Sequence, residues 1–365
     1  MKKLAIFASV IFLVVIAGLV MIRDKKAQTD VTQNKTKVGV ILNSTCDDHT
    51  WGQSHYEGIE ACKKELNLEV TYRENVTFGE ECVSVIEDMI NEGCKIIIAT
   101  SFEFGEDELA MSEKYPDVFF MHATGVVENR NMATYFGRIY QMRYLSGIVA
   151  GLQTETNSIG YVAAMPISEV NRGINAFTLG VRSVNPDATV YVTWTNDWSD
   201  DDATEAATEK LFKDYKDIDV VSMHTDSRKV LDYAEANGIW SIGYNIDNSE
   251  YYPNSYLTAP IWHWDAFYKA RILEILQGKF QGIHYWEGVE TGLVDLAPLT
   301  DNVKEGTKEV VEAEFERIKN CEFDVFDGPI TDNEGTLRVN EGETMTDDIM
   351  LNEFDWYVEG VVIDE

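Results

Sequence analysis

From Lys37 onward the chain alternates short runs rich in β-branched and aromatic residues with amphipathic stretches of about 12–16 residues. That alternation restricts it to an α/β architecture with parallel sheets, because each strand must be returned to the same edge by a helical crossover. A first series comprises strands at 37–43, 68–73, 95–100, 117–124 and 131–137, with helices centred near 58, 86, 110 and 147. A second series repeats the plan at 158–164, 188–194, 219–224, 238–244 and 255–260. Two series of similar size predict two lobes, each with its own sheet. The tail from Asp301 begins as a helix and becomes turn-rich around FDGPITDNEG, and it is expected to cross between the lobes and close the structure.

The N-terminus has a different character. Lys2 and Lys3 precede an uncharged apolar run from Leu4 to Ile22, followed by Arg23, Asp24, Lys25 and Lys26. The run exceeds the usual core of a cleaved signal, and it carries neither an Ala-x-Ala site nor a lipid-accepting cysteine. Residues 1–26 are therefore expected to anchor or export the chain, with 27–36 as a polar tether and the remainder on the extracytoplasmic side. The lobes are expected to comprise 37–157 plus about 262–318, and 158–261 plus about 319–365.

Charge removes one class of partner. With 30 Lys and Arg against 63 Asp and Glu, the net charge of −33 repels phosphate backbones, so nucleic-acid polymers are not expected as partners. The five cysteines form no C-x-x-C pair, and Cys62 and Cys82 fall on helical patterns as buried thiols.

Ligands of open parallel sheets bind beyond the carboxyl ends of the strands, so candidate residues lie just after each strand. After 37–43 come Asp47, Asp48, Trp51 and Gln53, an acidic loop opening a helix, where N-capping and a hydrophobic staple are the bland alternatives. After 95–100 comes Phe104, and His122 ends strand 117–124. In the second series Trp198 and Asp200 follow 188–194, and His224 ends 219–224. Tyr244, Asn245 and Asp247 lie at the end of 238–244, and Trp262 follows 255–260. Trp51 and Trp198 occupy corresponding places, so they are read as two jaws of a clamp for a planar ring, a surface on which sugars also stack. The aspartate run near 200 lacks the Gly and Glu of a calcium loop, and no nucleophile, metal or nucleotide motif is present, so neither metal nor cofactor nor catalysis is expected.

Five stretches, DDHTWGQSHYEGIE, FEFGEDELAMSEKYPDVFF, YFGRIYQMRYLSGIVAG, EVNRGINAFTLGVRSVNPDATV and VFDGPITDNEG, resemble the basic membrane protein (BMP) family of ABC-transporter substrate-binding proteins, over about Lys37 to Val361. The resemblance implies the two-lobed fold of type I periplasmic binding proteins, capture of purine nucleosides or free purine bases, and delivery to an ABC permease. In the family's nucleoside binders the first loop reads roughly D-D-K-S-F-N-Q-S, so Trp51 takes the place of its stacking Phe, while Asp47 and Asp48 match its acids and Gly52 replaces the Asn. Trp198, with Asp200 behind it, matches a second stacking Phe. The ribose-gripping Asp and Lys correspond to Asn245 and Trp262, which implies a dismantled ribose site and a free nucleobase, adenine before others. A purine-sensing receptor component is the alternative from a second class, ahead of a sugar-binding protein or a nucleoside hydrolase.

Overall fold

The computed structural model describes residues 35–364. The segment read as an anchor, and most of its tether, lie outside the described residues. Among the described residues no helix is long and apolar enough to cross a membrane.

The first half of the chain runs β1 (Thr36–Ile41), α1 (Trp51–Glu65), β2 (Leu68–Arg73), α2 (Glu80–Asn91), β3 (Ile96–Ala99), α3 (Gly105–Lys114), β4 (Phe119–Ala123), β5 (Met132–Gly137) and α4 (Tyr140–Gln153). There follow β6 (Ser158–Ala163), α5 (Ser168–Val184), β7 (Thr189–Trp194), α6 (Asp201–Asp214), β8 (Val220–His224), α7 (Lys229–Asn237), β9 (Trp240–Ile242), β10 (Tyr256–Thr258), β11 (Pro260–Trp262) and α8 (Trp264–Leu276). The chain ends with β12 (His284–Glu287), β13 (Val294–Leu296), α9 (Thr307–Lys319), β14 (Ile330–Thr331), β15 (Leu337–Val339) and β16 (Val361–Ile363).

Two six-stranded sheets result, ordered β12-β5-β4-β3-β1-β2 and β10-β9-β8-β6-β7-β16, with every neighbouring pair parallel. Central strands such as β3 and β8 are buried at every residue, which is why they read as near-continuous apolar runs instead of alternating ones. In each sheet the strand order reverses beside the first strand: between β1 and β3 in one, between β6 and β8 in the other. Loops diverge there and leave a crevice at the carboxyl ends.

The expected strand 255–260 divides. Pro260 has no N–H to give the ladder, so β10 pairs with β9 while β11 pairs antiparallel with β13 and keeps a single parallel bridge, Ile261 to Asn245, to the loop after β9. Ahead of the tail β12 extends the first sheet, and within the tail β16 extends the second, so the chain crosses twice after leaving the second sheet.

Helix α4 is buried along almost its whole length and crosses α5 at backbone contact. A Cβ on Gly180 would lie 1.9 Å from the carbonyl oxygen of Tyr144. The helix that follows β5 of the first sheet is thereby packed against the first helix of the second, and one continuous apolar core spans both. A separate core of thirteen residues lies under α2 and α3. Cys62, Cys82 and Cys94 are buried free thiols.

Candidate functional site

Trp51 opens α1 beside the reversal point of the first sheet. Both Asp48 oxygens accept from the helix start: Oδ1 from Thr50 N at 2.9 Å and Gln53 N at 3.0 Å, and Oδ2 from Gly52 N at 2.8 Å. Position 52 has to be glycine, because a Cβ would sit 2.3 Å from Thr45 O. The Trp51 indole is fixed by Nε1 donating to Thr100 O, just past β3, at 2.7 Å. It stands across a ladder of three stacked rings. His55 lies 4.7 Å from Trp264 at 10°, Trp264 lies 4.4 Å from Trp262 at 13°, and Trp51 stands nearly perpendicular to His55, Trp264 and Trp262, at 83°, 85° and 84°. T-shaped contacts suit the ring quadrupoles and leave the orientation of Trp51 little freedom.

At the second sheet Trp198 is half-buried, with its ring 6.0 Å from His224. His224 meets Tyr244 edge-on at 4.9 Å, and its Nδ1 lies 3.0 Å from Tyr161 Oη. Burial, then the Arg143 and Arg172 charges, lowers the pKa of His224, so the imidazole is neutral at physiological pH. Arg143, from α4, lies 3.9 Å over the Tyr244 ring and donates from Nη1 to Met223 O at 2.7 Å. Glu169 sits near both guanidiniums, and its carboxyl is raised by burial against their opposing pull.

The two sheets meet where the loop after β9 reaches the start of α1. Asn245, fully buried with φ +72°, donates from Nδ2 to Thr50 Oγ1 and to Asp226 Oδ1, both at 2.8 Å, and its Oδ1 accepts from Trp262 Nε1 at 3.0 Å. Asn248 Nδ2 donates to His49 O at 3.0 Å, and the His49 and Tyr251 rings lie 4.9 Å apart. Burial first, then the Asp48 charge, pushes the Asp226 carboxyl up to about 8. Both acids border a polar cavity of about 210 Å³ at this junction.

The expected residues therefore separate. Trp51, Trp198, His224, Tyr244, Asn245, Trp262 and Asp48 gather around the two reversal points and the junction between them. Trp51 and Trp198 keep different ring neighbours and make no ring contact with each other among the described residues. Phe104 is a correction: its 3₁₀ turn exposes Phe102 and returns Phe104 to the separate core at 0% exposure, under α2 and α3. His122 is buried with its Nε2 2.9 Å from Ser101 O and its ring against Gly105 and Gly125, a packing role. Asp200 caps α6 by accepting from Ala203 N at 2.9 Å, and Asp247 accepts from Ser249 N at 2.9 Å in a turn. Asp47 is exposed, and Gln53 Nε2 donates to Glu57 at 2.8 Å. Sequence reasoning missed Arg143, Asp226 and His55. A lone cation inside the otherwise apolar RYLSGIVAG was the one signal for Arg143.

The model of the Bmp family, described as ABC transporter substrate-binding protein PnrA-like, matches residues 35–326. The chain belongs to that family. Membership makes it a solute-binding protein of ABC transporters, with a small-molecule ligand, a permease partner and an extracytoplasmic setting. A purine-binding protein of Brucella abortus is 34% identical over 331 residues, covering 90% of this chain and 93% of the relative. A Haloferax volcanii protein that carries the name of an ABC transporter glucose-binding protein is 36% identical over 322 residues, covering 88% of this chain and 79% of the relative. Among solved structures, a transcriptional activator of the comK gene from Bacillus halodurans superposes with a TM-score of 0.70 at 23% identity, over 79% of this chain and 99% of that one, a likeness of fold.

Proposed function

We propose that this member of the PnrA-like family captures a purine as the free nucleobase, between Trp51 on one lobe and Trp198 on the other, and delivers it to an ABC permease. The lobes in this reading are 37–157 with about 262–318, and 158–261 with about 319–365, held at the outer face of the membrane by the N-terminal segment. The observation that carries the choice of base over nucleoside is the bond from Trp262 Nε1 to Asn245 Oδ1. The resemblance puts these two residues where a ribose would be gripped, and here their polar atoms are spent on each other, on Thr50 and on Asp226. Trp262, buried and stacked on Trp264, takes up room a sugar would need. The purine-binding relative from Brucella supports the ligand class. The role is capture and not catalysis: the strand ends present aromatic faces and amides, and the buried imidazole of His224 pairs with a tyrosine instead of a nucleophile.

A sugar is the second reading, favoured by the relative named for glucose, since a pyranose also stacks on indole. Indole fluorescence separates the two. Adenine or hypoxanthine added to the ligand-stripped chain is expected to quench Trp emission saturably, and Trp51→Ala to abolish most of that change. A saturable response to glucose with none to purines would reject the nucleobase reading.

A further inference from the structure

The guanidinium of Arg143 is incompletely used. Its side chain is wholly buried, and only Nη1 has an acceptor, Met223 O at 2.7 Å. Nε and Nη2 have no hydrogen-bond partner. Those two nitrogens share one edge of the guanidinium and project parallel N–H bonds, the geometry with which arginine meets two adjacent acceptors. The ion pairs of the described residues do not include Arg143, so neither donor nor charge is answered by a carboxylate at bonding distance. Buried donors without partners are costly, and a guanidinium serving only to brace the fold would have them paired.

Its position is informative. Arg143 reaches from α4 to the end of β8, lies 5.8 Å from the ring of Tyr161 on β6, and so stands at the reversal point of the second sheet, as Trp51 does in the first. The rings of Tyr244 and His224 link it to Trp198. Because Arg143 is wholly buried, a ligand reaching it requires contacts between the two sheets, such as those of Thr50 with Asn245 and His49 with Asn248, to part.

We propose that Arg143 is the specificity-determining residue of the purine site and selects 6-oxopurine bases, with its Nε–H and Nη2–H donating to O6 and N7. This rests on the purine reading above and reverses the preference for adenine drawn from the sequence. Hypoxanthine, guanine and xanthine carry two adjacent acceptors on that edge when the imidazole proton sits on N9, the tautomer the site would select. Adenine carries the N6 amino donor beside N7, so one arginine N–H would face another N–H. A site built to hydrogen-bond one functional group strongly rejects the analogue that lacks it.

The test is competition calorimetry on the full-length chain with hypoxanthine, adenine and 7-deazahypoxanthine, which keeps O6 and loses the N7 acceptor. Hypoxanthine is expected to bind about tenfold to a hundredfold tighter than either of the others. Arg143→Lys, which keeps the charge but not the parallel pair, is expected to bring hypoxanthine and adenine within about threefold of each other, the residue of one point-charge bond. Should the variant fail to fold, the wild-type comparison of hypoxanthine with its 7-deaza analogue decides alone. Equal affinity for adenine and hypoxanthine, no loss on removing N7, or an unchanged ratio in a folded Arg143→Lys chain overturns the role of Arg143 and leaves the purine reading standing. No binding of any purine overturns both.

Discussion

Trp262 Nε1 donates to Asn245 Oδ1 at 3.0 Å, joining the two positions that the family resemblance aligns with a ribose grip. Asn245→Asp removes the Nδ2 donor that serves Asp226 and Thr50, so both partners must turn donor toward the new carboxyl, and a second carboxyl enters a buried site. The single variant is expected to lose at least about 2 kcal/mol in a urea melt. Adding Trp262→Lys supplies a cation and clears the volume, and the double variant is expected to gain affinity for adenosine over adenine by about tenfold or more. Calorimetry that finds no such gain would show that these positions do not exclude the sugar.

The clamp makes a separate prediction. Stacking a base on an aromatic is worth about 1–3 kcal/mol, so Trp51→Ala and Trp198→Ala should each weaken base binding about tenfold to a hundredfold. Trp198 is half-buried in a loop, and its removal should leave the thermal midpoint close to wild type, whereas Trp51 bonds Thr100 and packs on the ladder, so Trp51→Ala should lower it. Equal destabilisation by the two variants would contradict the placement.

Asp226 makes stability depend on pH. Its carboxyl titrates at about 8 in the folded chain against 3.8 ordinarily, so the folded state holds a proton that the unfolded state releases. Stability from this group is therefore greatest in acid, declines as pH rises above about 4, and levels off once Asp226 ionises near 8. Asp226→Asn should flatten that decline in thermal melts between pH 5 and 8.5. A slope unaltered by the substitution would place its origin elsewhere.

The helix crossing that joins the two sheets tolerates no side chain at its centre. Gly180→Ala sets a Cβ 1.9 Å from Tyr144 O, and the resulting displacement should cost about 1–3 kcal/mol or more, read as a lowered urea midpoint. A midpoint within error of wild type would mean that α4 and α5 separate freely.

Most strands were legible because buried parallel strands are continuous apolar runs, as in β3 and β8. The division at Pro260 was less so, since a proline can end a strand or ride its edge and only the partner strand β13, more than thirty residues on, decides. Trp51 was readable as an aromatic after a strand, and Asp48 as its cap. Phe104 was not, because a 3₁₀ turn reverses which of Phe102 and Phe104 faces inward. Arg143 escaped because its partner, Met223, lies 80 positions away along the chain.

The most direct measurement is titration calorimetry of the chain, unfolded and refolded once to strip co-purified ligand, against hypoxanthine, adenine, adenosine and glucose. The account predicts saturable, micromolar or tighter binding of a free base, with adenosine weaker by about tenfold or more and no heat from glucose. Binding of glucose without any purine, or of adenosine ahead of every base, would contradict it.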